Sequence, residues 1–342
     1  MNYKLLGKTG LKVSEVCLGT MTFGEEWGYG ANKEISRKVF NTFVEAGGNF
    51  VDTANRYTEG TSESFLGEFA KPVRDKIILA TKYSLYNEKG EINAAGNNRK
   101  NMIYSLEKSL KRLQTEYIDL YYLHIWDGLT GADEILRAFD DLISSGKILY
   151  AGISDTPAWI VSQANTIAEF RGWNRFQAVQ AEYSLITRDA ERDLLPMADS
   201  FDMAVTAWAP LAGGALTGKY LNNDNDKKRL KPESKRLNER SVAIAKEVYT
   251  IAQELGVPSA AVAVKWVMQR PQVIIPVIGA KNAEQLKESL AYSSVTLTDD
   301  HLARLEKVSA IEYGFPHDFI RSAAARELVY GGMESKILKH RR

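Results

Sequence analysis

Residues 118–124 read Ile-Asp-Leu-Tyr-Tyr-Leu-His, a short run that is apolar over most of its length and ends in a polar residue. Such a run is typical of a strand that is covered on both faces, as in a parallel sheet. Seven further runs of this kind occur along the chain. The eight predicted strands are Val16–Met21, Asn49–Ala54, Ile77–Lys82, Ile118–His124, Ile148–Ser154, Ala178–Ser184, Ala204–Pro210 and Val273–Gly279.

The segments between these strands have the apolar spacing of amphipathic helices. Ile35, Val39 and Phe43 form one such stripe, and we expect it to face the sheet. Eight strands that alternate with helices predict the α/β class and a (β/α)8 TIM barrel.

Three segments lie outside the eight repeats. Residues 1–13 predict a β-hairpin that caps the bottom of the barrel. Residues 221–238 are rich in Asn, Asp, Lys and Arg, which predicts a mobile loop able to fold over a ligand. Residues 298–342 predict extra helices beside the barrel mouth and a basic tail. We expect the whole chain, 1–342, to be a single domain.

The composition excludes several classes of protein. The 44 Lys and Arg residues nearly balance the 43 Asp and Glu residues, so nothing indicates a nucleic acid or an anionic membrane as a partner. The single Cys17 excludes an internal disulfide, and the four histidines lack the spacing of metal ligands. The first 13 residues lack the apolar region of a signal peptide, and no apolar run is long enough to span a membrane. We therefore expect a cytoplasmic location without a metal site.

Polar groups end six consecutive predicted strands. These groups are Asp52 with Tyr57 shortly after it, Lys82, His124, Ser154 with Asp155, Gln180 and Trp208. Each alone can cap a helix or satisfy a local hydrogen bond. Together they indicate an active site, because catalytic groups of barrel enzymes project from the carboxyl ends of the strands and unpaired buried charges cost several kcal/mol.

The types of residue in this group favour proton donation to an oxygen. A tyrosine hydroxyl is a weak acid, and a neighbouring ammonium such as Lys82 would lower the pKa of Tyr57. Asp52 would balance the charge of Lys82, and His124 would orient the substrate oxygen. No strong nucleophile lies next to a base, which argues against acyl transfer.

Several motifs carry a resemblance to a known family. They are Asp52-Thr53-Ala54 followed by Tyr57, Ser62-Glu63 with Leu66-Gly67, Thr81-Lys82, residues 117–121 with His124, and Pro210-Leu211 through Leu216-Thr217-Gly218-Lys219. Over essentially its whole length the chain resembles the aldo-keto reductase superfamily, in particular its bacterial-type branch that includes potassium-channel β subunits. The resemblance implies that Asp52, Tyr57, Lys82 and His124 form the catalytic tetrad, which reduces an aldehyde or ketone with a nicotinamide cofactor.

The resemblance also implies the residues that bind the nicotinamide half of the cofactor. Ser154 and Gln180 would bind the carboxamide, and Trp208 would stack under the ring. Asp155 stands where relatives often have Asn, and a carboxylate cannot donate to the carboxamide oxygen. Two roles for Asp155 therefore stay open, a contact to the cofactor and a cap for the next helix.

The remaining cofactor contacts that the resemblance implies lie in two later segments. Pro210, Leu211, Gly213, Gly218 and Lys219 would pass over the pyrophosphate, and Gly279, Lys281, Gln285 and Ser289 would bind the adenosine end. A cation in the first turn of a helix favours an extra phosphate, so Lys281 indicates NADP(H) over NAD(H). Relatives frequently have Arg in place of Lys281 and Asn in place of Ser289.

Four aromatic residues are candidates for substrate contact: Trp27, Tyr29, Tyr86 and Trp126. They indicate an apolar or sugar-like carbonyl substrate, and the choice between small aldehydes and sugar-linked ketones stays open. Two rival functions are a cofactor-sensing accessory subunit and a lyase that uses Lys82 as a Schiff base. The sequence does not predict the oligomeric state.

Overall fold

The computed structural model describes residues 1–221, 229–231 and 233–338. Its strands are β1 Tyr3–Leu5, β2 Lys12–Ser14, β3 Cys17–Gly19, β4 Phe50–Asp52, β5 Ile78–Tyr83, β6 Ile118–Leu123, β7 Ile148–Ser154, β8 Phe176–Glu182, β9 Ala204–Trp208 and β10 Ile274–Gly279. Its helices are α1 Lys33–Glu45, α2 Thr61–Ala70, α3 Arg99–Leu113, α4 Ala132–Ser144, α5 Ala158–Arg171, α6 Leu194–Ser200, α7 Glu239–Leu255, α8 Ser259–Met268, α9 Ala283–Leu290, α10 Asp299–Ser309, α11 His317–Arg321 and α12 Ala323–Tyr330. Short 3₁₀ turns occur at Tyr57–Gly60, Lys71–Lys76, Asp189–Glu191, Ala212–Thr217, Lys235–Leu237, Ala291–Ser294 and Glu334–Lys336.

Strands β3 to β10 form a closed parallel barrel in which each strand pairs with the next one along the chain. The barrel closes where β10 pairs with β3, with Val277 opposite Cys17. Every predicted strand has its counterpart, with bounds that differ by no more than two residues. The prediction of a (β/α)8 TIM barrel is confirmed.

The N-terminal hairpin of β1 and β2 lies at the bottom of the barrel, as expected. The Lys4 ammonium donates to the carbonyl of Ile274, the first residue of β10, at 2.7 Å. Gly7 has a φ of 56°, and a Cβ atom there would lie 2.5 Å from the carbonyl oxygen of Gln177. Only glycine allows this left-handed conformation and close approach without strain.

Helix α1 shows where the apolar spacing gives a wrong prediction for one residue. Val39, Phe40 and Phe43 are buried, as expected for a helix that packs on the sheet, but Ile35 is exposed. The buried face includes Ser36 instead of Ile35, because a shift of one residue turns a side chain by about 100° around the helix axis.

The contacts divide the chain into two units. The first, Met1–Ser309, contains the barrel, and its last helix α10 packs against α7. The second begins at Ala310 and contains α11 and α12, with an ion pair of 2.6 Å between Arg326 and Glu334. The placement of residues 298–342 beside the mouth and the assignment of 1–342 to a single domain stay predictions.

The segment 221–238 is only partly described, and its mobility stays a prediction. Residues 222–228 and 232, like the tail 339–342, lie outside the described residues. Leu230 and Leu237 pack against the apolar core of the barrel. Within the described ranges, no helix is long and apolar enough to cross a membrane.

Candidate active site

The carboxyl ends of the barrel strands surround a cavity of about 550 Å³. Asp52, Tyr57 and His124 line it, together with the residues at the ends of β7, β8 and β9. Lys82 is fully buried directly behind this wall. The structure therefore brings together all four residues of the predicted tetrad.

The Lys82 ammonium makes three hydrogen bonds that fix the centre of the site. It donates to Oδ2 of Asp52 at 2.5 Å, to the carbonyl of Thr53 at 2.8 Å and to the hydroxyl of Tyr57 at 3.2 Å. The other oxygen of Asp52 accepts from Nε2 of Gln180 at 3.0 Å. The buried charge pair is thus fully paired, and Tyr57 is the member with a hydroxyl at the cavity wall.

A left-handed turn holds Tyr57 in place. Thr58, Glu59 and Gly60 all have positive φ values, of 47°, 57° and 95°, before α2 begins at Thr61. The hydroxyl of Thr58 donates to the carbonyl of Phe23 at 2.6 Å and secures the turn. Non-glycine residues in this conformation cost about 1 kcal/mol or more each, and such strain occurs preferentially at functional sites.

Burial and charge together set the protonation states of the tetrad. Burial lowers the pKa of Lys82, but the Asp52 carboxylate and Tyr57 outweigh burial and raise it to about 12. Burial raises the pKa of Tyr57 above its ordinary value, and the opposing effect of Lys82 does not reverse this. Lys82 does lower the pKa of Tyr57, as expected, but burial raises that pKa by more. The expectation of a lowered pKa for Tyr57 is therefore wrong. At neutral pH the phenol keeps its proton.

His124 is a neutral imidazole at neutral pH. Burial and then the charge of Lys82 hold its pKa well below the ordinary value. Its ring meets that of Tyr57 edge to face, with 5.8 Å between the centroids. The buried Nδ1 atom has no hydrogen-bond partner among the described residues. His124 as a residue lines the cavity, so its imidazole can meet a ligand there.

Ser154, Asp155, Gln180 and Trp208 all line the same end of the cavity. The hydroxyl of Ser154 is buried and finds no partner in the described part of the chain. Oδ1 of Asp155 accepts from the indole nitrogen of Trp208 at 3.0 Å. Asp155 does not cap α5, which begins after Pro157 without a side-chain hydrogen bond, so that alternative is wrong.

The glycine-rich segment after β9 forms one wall of the cavity. Pro210, Leu211, Gly213 and Lys219 line it, as the resemblance implies. Gly218 is not among the lining residues. It has a φ of 84°, and a Cβ atom there would lie 3.2 Å from the ring of Tyr249, so a turn and close packing explain the glycine.

The opposite end of the cavity is lined by Gly279, Lys281, Gln285 and Ser289. The sequence places Lys281 in the first turn of α9, and this prediction is wrong. Lys281 precedes Asn282, which caps the helix by accepting a hydrogen bond from the amide of Gln285. The backbone amide of Lys281 donates to the Gln285 side chain at 3.1 Å. Lys281 thus lies just before the N-terminus of the helix.

Two arginines that sequence reasoning missed also line the cavity. Arg229 and Lys281 both lie over the ring of Tyr29, at 5.4 and 4.7 Å from its centroid, so Tyr29 belongs to this far end and not to the surroundings of Tyr57. Arg236 pairs with Glu182 at 2.5 Å. Both arginines come from the basic segment 221–238, which the sequence predicts as a loop able to fold over a ligand without singling out these two residues.

The other three substrate candidates lie outside the cavity lining. The indole of Trp27 meets the Tyr57 ring edge to face at 6.3 Å. The hydroxyl of Tyr86 accepts from Arg56 at 2.8 Å. Trp126 packs against Trp159 with 5.8 Å between the centroids.

Comparison with known proteins places this geometry in a family. Residues 15–310 match the model described as "Aldo/keto reductase family". The chain is 34% identical to a norsolorinic acid reductase of Aspergillus flavus, with 92% of this chain and 83% of that protein covered. It is 35% identical to a putative aryl-alcohol dehydrogenase of Saccharomyces cerevisiae, over 93% of this chain and 89% of that protein.

An aryl-alcohol dehydrogenase [NADP(+)] of Phanerodontia chrysosporium is also 35% identical, over 90% of this chain and 86% of that protein. The assignment to the branch that includes potassium-channel β subunits stays a prediction. A family match over most of the chain and relatives above 30% identity agree with a barrel that carries the Asp52, Tyr57, Lys82 and His124 group. The chain belongs to the aldo/keto reductase family of oxidoreductases.

Proposed function

We propose that this protein reduces an aldehyde or ketone to an alcohol with NADP(H), and that Tyr57 is the proton donor. The observation that carries the proposal is the protonated hydroxyl of Tyr57 at the cavity wall, 3.2 Å from the buried ammonium of Lys82. A positioned acid of this kind contributes about 10²- to 10⁴-fold to a rate.

The chain's own residues divide the work on the substrate oxygen. The Tyr57 hydroxyl donates its proton as negative charge develops on the carbonyl oxygen. Lys82 stabilises the phenolate that is left, and Asp52 keeps Lys82 charged and fixed at 2.5 Å. His124, which is neutral and lines the cavity, offers its one N–H group to orient the oxygen.

The residues that line the cavity suit a phosphorylated dinucleotide. The buried, orphaned hydroxyl of Ser154 and the amide of Gln180 suit a carboxamide. Lys219, Arg229, Arg236 and Lys281 line the other parts of the cavity and suit phosphate groups. When bound, the cofactor supplies the hydride, while these residues hold it beside Tyr57.

The choice of NADP(H) over NAD(H) rests on the far end of the cavity. Lys281 and Arg229 bring two cations over one ring, and Lys281 directly precedes the N-terminus of α9, where an extra phosphate is favoured. One relative is named as NADP(+)-dependent.

We also keep the cytoplasmic location as a proposal, based on the single cysteine of the chain.

The test is a titration of the purified protein with NADPH and NADH, followed by nitrobenzaldehyde and small dicarbonyl substrates while the absorbance of the reduced nicotinamide is recorded. Tight NADPH binding with substrate-dependent oxidation would support the reductase. Binding without oxidation of any carbonyl would favour a cofactor-sensing subunit. Failure to bind either nucleotide would overturn the proposal.

The lyase alternative has little physical support. A Schiff base needs a neutral amine, and the pKa of about 12 keeps Lys82 charged. Borohydride in the presence of a carbonyl substrate should therefore leave the mass of the protein unchanged.

A further inference from the structure

The glutamate of the Ser62-Glu63 motif is a buried charge that the proposed reaction does not use. Glu63 lies in the first turn of α2 and is fully buried. Its Oε2 atom accepts from Nε of Arg112 on α3 at 2.6 Å. Its Oε1 atom accepts from the hydroxyl of Thr81 on β5 at 2.6 Å. Glu63 therefore joins α2 both to a second helix and to a strand of the barrel.

The two partners of Glu63 border the catalytic group from different sides. Thr81 directly precedes Lys82 on β5. Arg112 packs on Gly60, where a Cβ atom would lie 3.1 Å from Cδ of the arginine. Gly60 is the last residue of the left-handed turn that leads from the catalytic tyrosine into α2. The place of this turn relative to Lys82 thus depends on the contacts of Glu63.

Ser62, the other residue of the motif, fixes the same helical turn to the ends of β3 and β4. Its hydroxyl donates to the carbonyl of Thr20 at 2.8 Å and lies 2.9 Å from the hydroxyl of Thr53. Thr20 in turn donates to the carbonyl of Asp52 at 2.9 Å, and the carbonyl of Thr53 accepts from Lys82. The first turn of α2 is therefore connected to the backbone beside Asp52 and Lys82.

The stability of the fold does not explain why a charge stands at position 63. Burial of a carboxylate costs free energy, and apolar side chains of similar volume in place of a buried ion pair are often neutral or stabilising. Charge-assisted hydrogen bonds are short and directional, so they fix the distance between two elements more narrowly than apolar contacts do. The contacts of Glu63 are better explained by a need for precise placement.

The Tyr57 hydroxyl is the group that a shift of α2 would affect most. Its distance of 3.2 Å from Nζ of Lys82 is the longest of the three hydrogen bonds that this ammonium makes. It lies at the upper end of the normal range, so a displacement of about 0.5 Å would break the bond. A phenolate at Tyr57 would then lose stabilisation by its nearest cation.

We propose that Glu63 is a positioning residue for the transfer of the proton from Tyr57. It holds Thr81 and Arg112 around the first turn of α2. This placement keeps the Tyr57 hydroxyl within hydrogen-bond distance of Lys82. The inference rests on the proposed function for the identity of the proton donor, but the placement of Tyr57 is measurable without turnover.

The first test is Glu63→Gln, which removes the charge and keeps the size of the side chain. We expect kcat for the reduction of 4-nitrobenzaldehyde to fall about tenfold, because the phenolate that forms at Tyr57 is less stabilised. KM for the aldehyde and the Kd for NADPH should each change less than about twofold, since Glu63 does not line the cavity. The pH profile of alcohol oxidation should shift upwards by about one unit, because the phenolate is less favoured.

The matched control is Glu191→Gln, the same change in another mostly buried glutamate that pairs with an arginine. The ion pair there joins Glu191 to Arg188 at 2.8 Å, and neither residue lines the cavity. We expect a lower melting temperature for this variant, with kcat and the pH profile of oxidation as in the wild type. Equal losses of kcat in Glu63→Gln and Glu191→Gln would overturn the proposal, since the loss would then follow from stability alone.

Two variants of Thr81 test the contact without a change of charge. Thr81→Ser keeps the hydroxyl that donates to Glu63, so kcat should stay within about twofold of the wild-type value. Thr81→Val keeps the volume and removes the donor, so kcat should fall about fivefold, with the same upward shift of the oxidation profile. Equal values of kcat in the two variants would contradict a role for this hydrogen bond in positioning.

Crystal structures of the wild type and of Glu63→Gln separate this inference from the proposed function. The distance between the Tyr57 hydroxyl and Nζ of Lys82 should increase by about 0.5 Å or more in the variant, whatever the turnover. An unchanged distance overturns the positioning role even if carbonyl reduction is observed. If Glu63→Gln does not fold, the same distance in Thr81→Val decides. Failure of the wild type to oxidise NADPH with any carbonyl overturns the proposed function alone.

Discussion

Two buried charge clusters of this barrel each contain a tyrosine hydroxyl, and they differ in one respect. The first is the Asp52, Lys82 and Tyr57 group. In the second, the guanidinium of Arg188, which is 2% exposed, donates to both oxygens of Glu191 at 2.8 Å each. Tyr183 donates to the same Glu191 at 2.6 Å.

We call the second cluster saturated, because its polar groups hydrogen-bond to one another and to neighbouring side chains. The first cluster borders the cavity. The remaining guanidinium nitrogen of Arg188 donates to Ser309 at 2.9 Å, and Arg270 donates to Tyr183 at 2.7 Å. Beside the first cluster, His124 and Ser154 each have a buried polar atom without a partner in the described ranges. Buried charge alone therefore does not indicate a ligand-binding site. Buried polar atoms without partners, in residues that line a cavity, do indicate one.

The sharpest way to test this comparison is to remove the tyrosine hydroxyl from the first cluster. Tyr57→Phe should lower kcat for carbonyl reduction by about 10³-fold, because the proton donor is lost. Cofactor binding and the melting temperature should stay close to the wild-type values, since the Tyr57 hydroxyl makes a single hydrogen bond to the described residues, of 3.2 Å, and phenylalanine keeps the ring. Stopped-flow kinetics with calorimetry measure both.

The matched control is Tyr183→Phe, which removes the corresponding hydroxyl from the saturated cluster. We expect loss of stability there and a nearly unchanged kcat for the folded protein. Near-normal turnover in Tyr57→Phe would show that the role assigned to Tyr57 is wrong.

The second prediction breaks the saturated cluster. Glu191→Gln should lower the free energy of unfolding by about 3 kcal/mol, because it leaves the buried Arg188 with less negative charge around it. Burial alone would raise the pKa of Glu191, but Arg188, Tyr183 and Arg270 lower it from 4.5 to about 2.

The direction of the pH effect follows from this lowered pKa. The stabilisation by Glu191 is complete above about pH 4.5 and disappears as the pH falls towards 2. Urea unfolding at pH 7 and at pH 3 should therefore show a smaller difference between the wild type and Glu191→Gln at the lower pH. An equal difference at both values would mean that the charge of Glu191 contributes nothing.

The difference between the clusters also explains what the sequence could predict. Strand ends and motif residues such as Asp52 and Lys82 are local features, so the barrel and the tetrad could be predicted. The saturated cluster joins Arg188 to Ser309, which lies 121 positions away, and no local pattern indicates that contact. Arg229 and Arg236 were missed for a related reason, since a basic loop has the same composition whether solvent or a cavity faces it.

The pKa of Tyr57 shows a further limit. The sign of the Lys82 contribution follows from residue types, but the net direction depends on burial, which only the packed structure reveals. The position of Lys281 before the Asn282 cap likewise depends on where the helix begins.

A third prediction concerns the far end of the cavity, where Lys281 and Arg229 lie over Tyr29. Lys281→Ala should raise the Kd for NADPH about tenfold and the Kd for NADH less than about twofold, because one charge-assisted contact to an extra phosphate is lost. Fluorescence titration with both nucleotides measures the ratio. An equal loss for both would remove the basis for preferring NADP(H).

The smallest expected effect is that of pH on the reductive reaction. The pKa of Tyr57 lies above its ordinary value, that of Lys82 is about 12, and that of His124 lies well below 6.5. None of these groups changes its charge between about pH 6.5 and 9, so kcat/KM for reduction should vary less than about twofold over this range. Alcohol oxidation needs the Tyr57 phenolate and should instead become faster as the pH rises.

Steady-state rates in both directions, at constant ionic strength, measure this asymmetry. A change in kcat/KM for reduction near pH 6.5 would mean that His124 titrates there. Its imidazole would then be exposed to solvent in the working enzyme. A flat reductive profile in the wild type and in His124→Asn, together with a rising oxidative one, would assign the proton to Tyr57. The cluster of Asp52, Lys82 and Tyr57 would then differ in function from the saturated cluster. The Tyr57 hydroxyl can give its proton to a ligand, whereas the Tyr183 hydroxyl donates its proton to Glu191 within the fold.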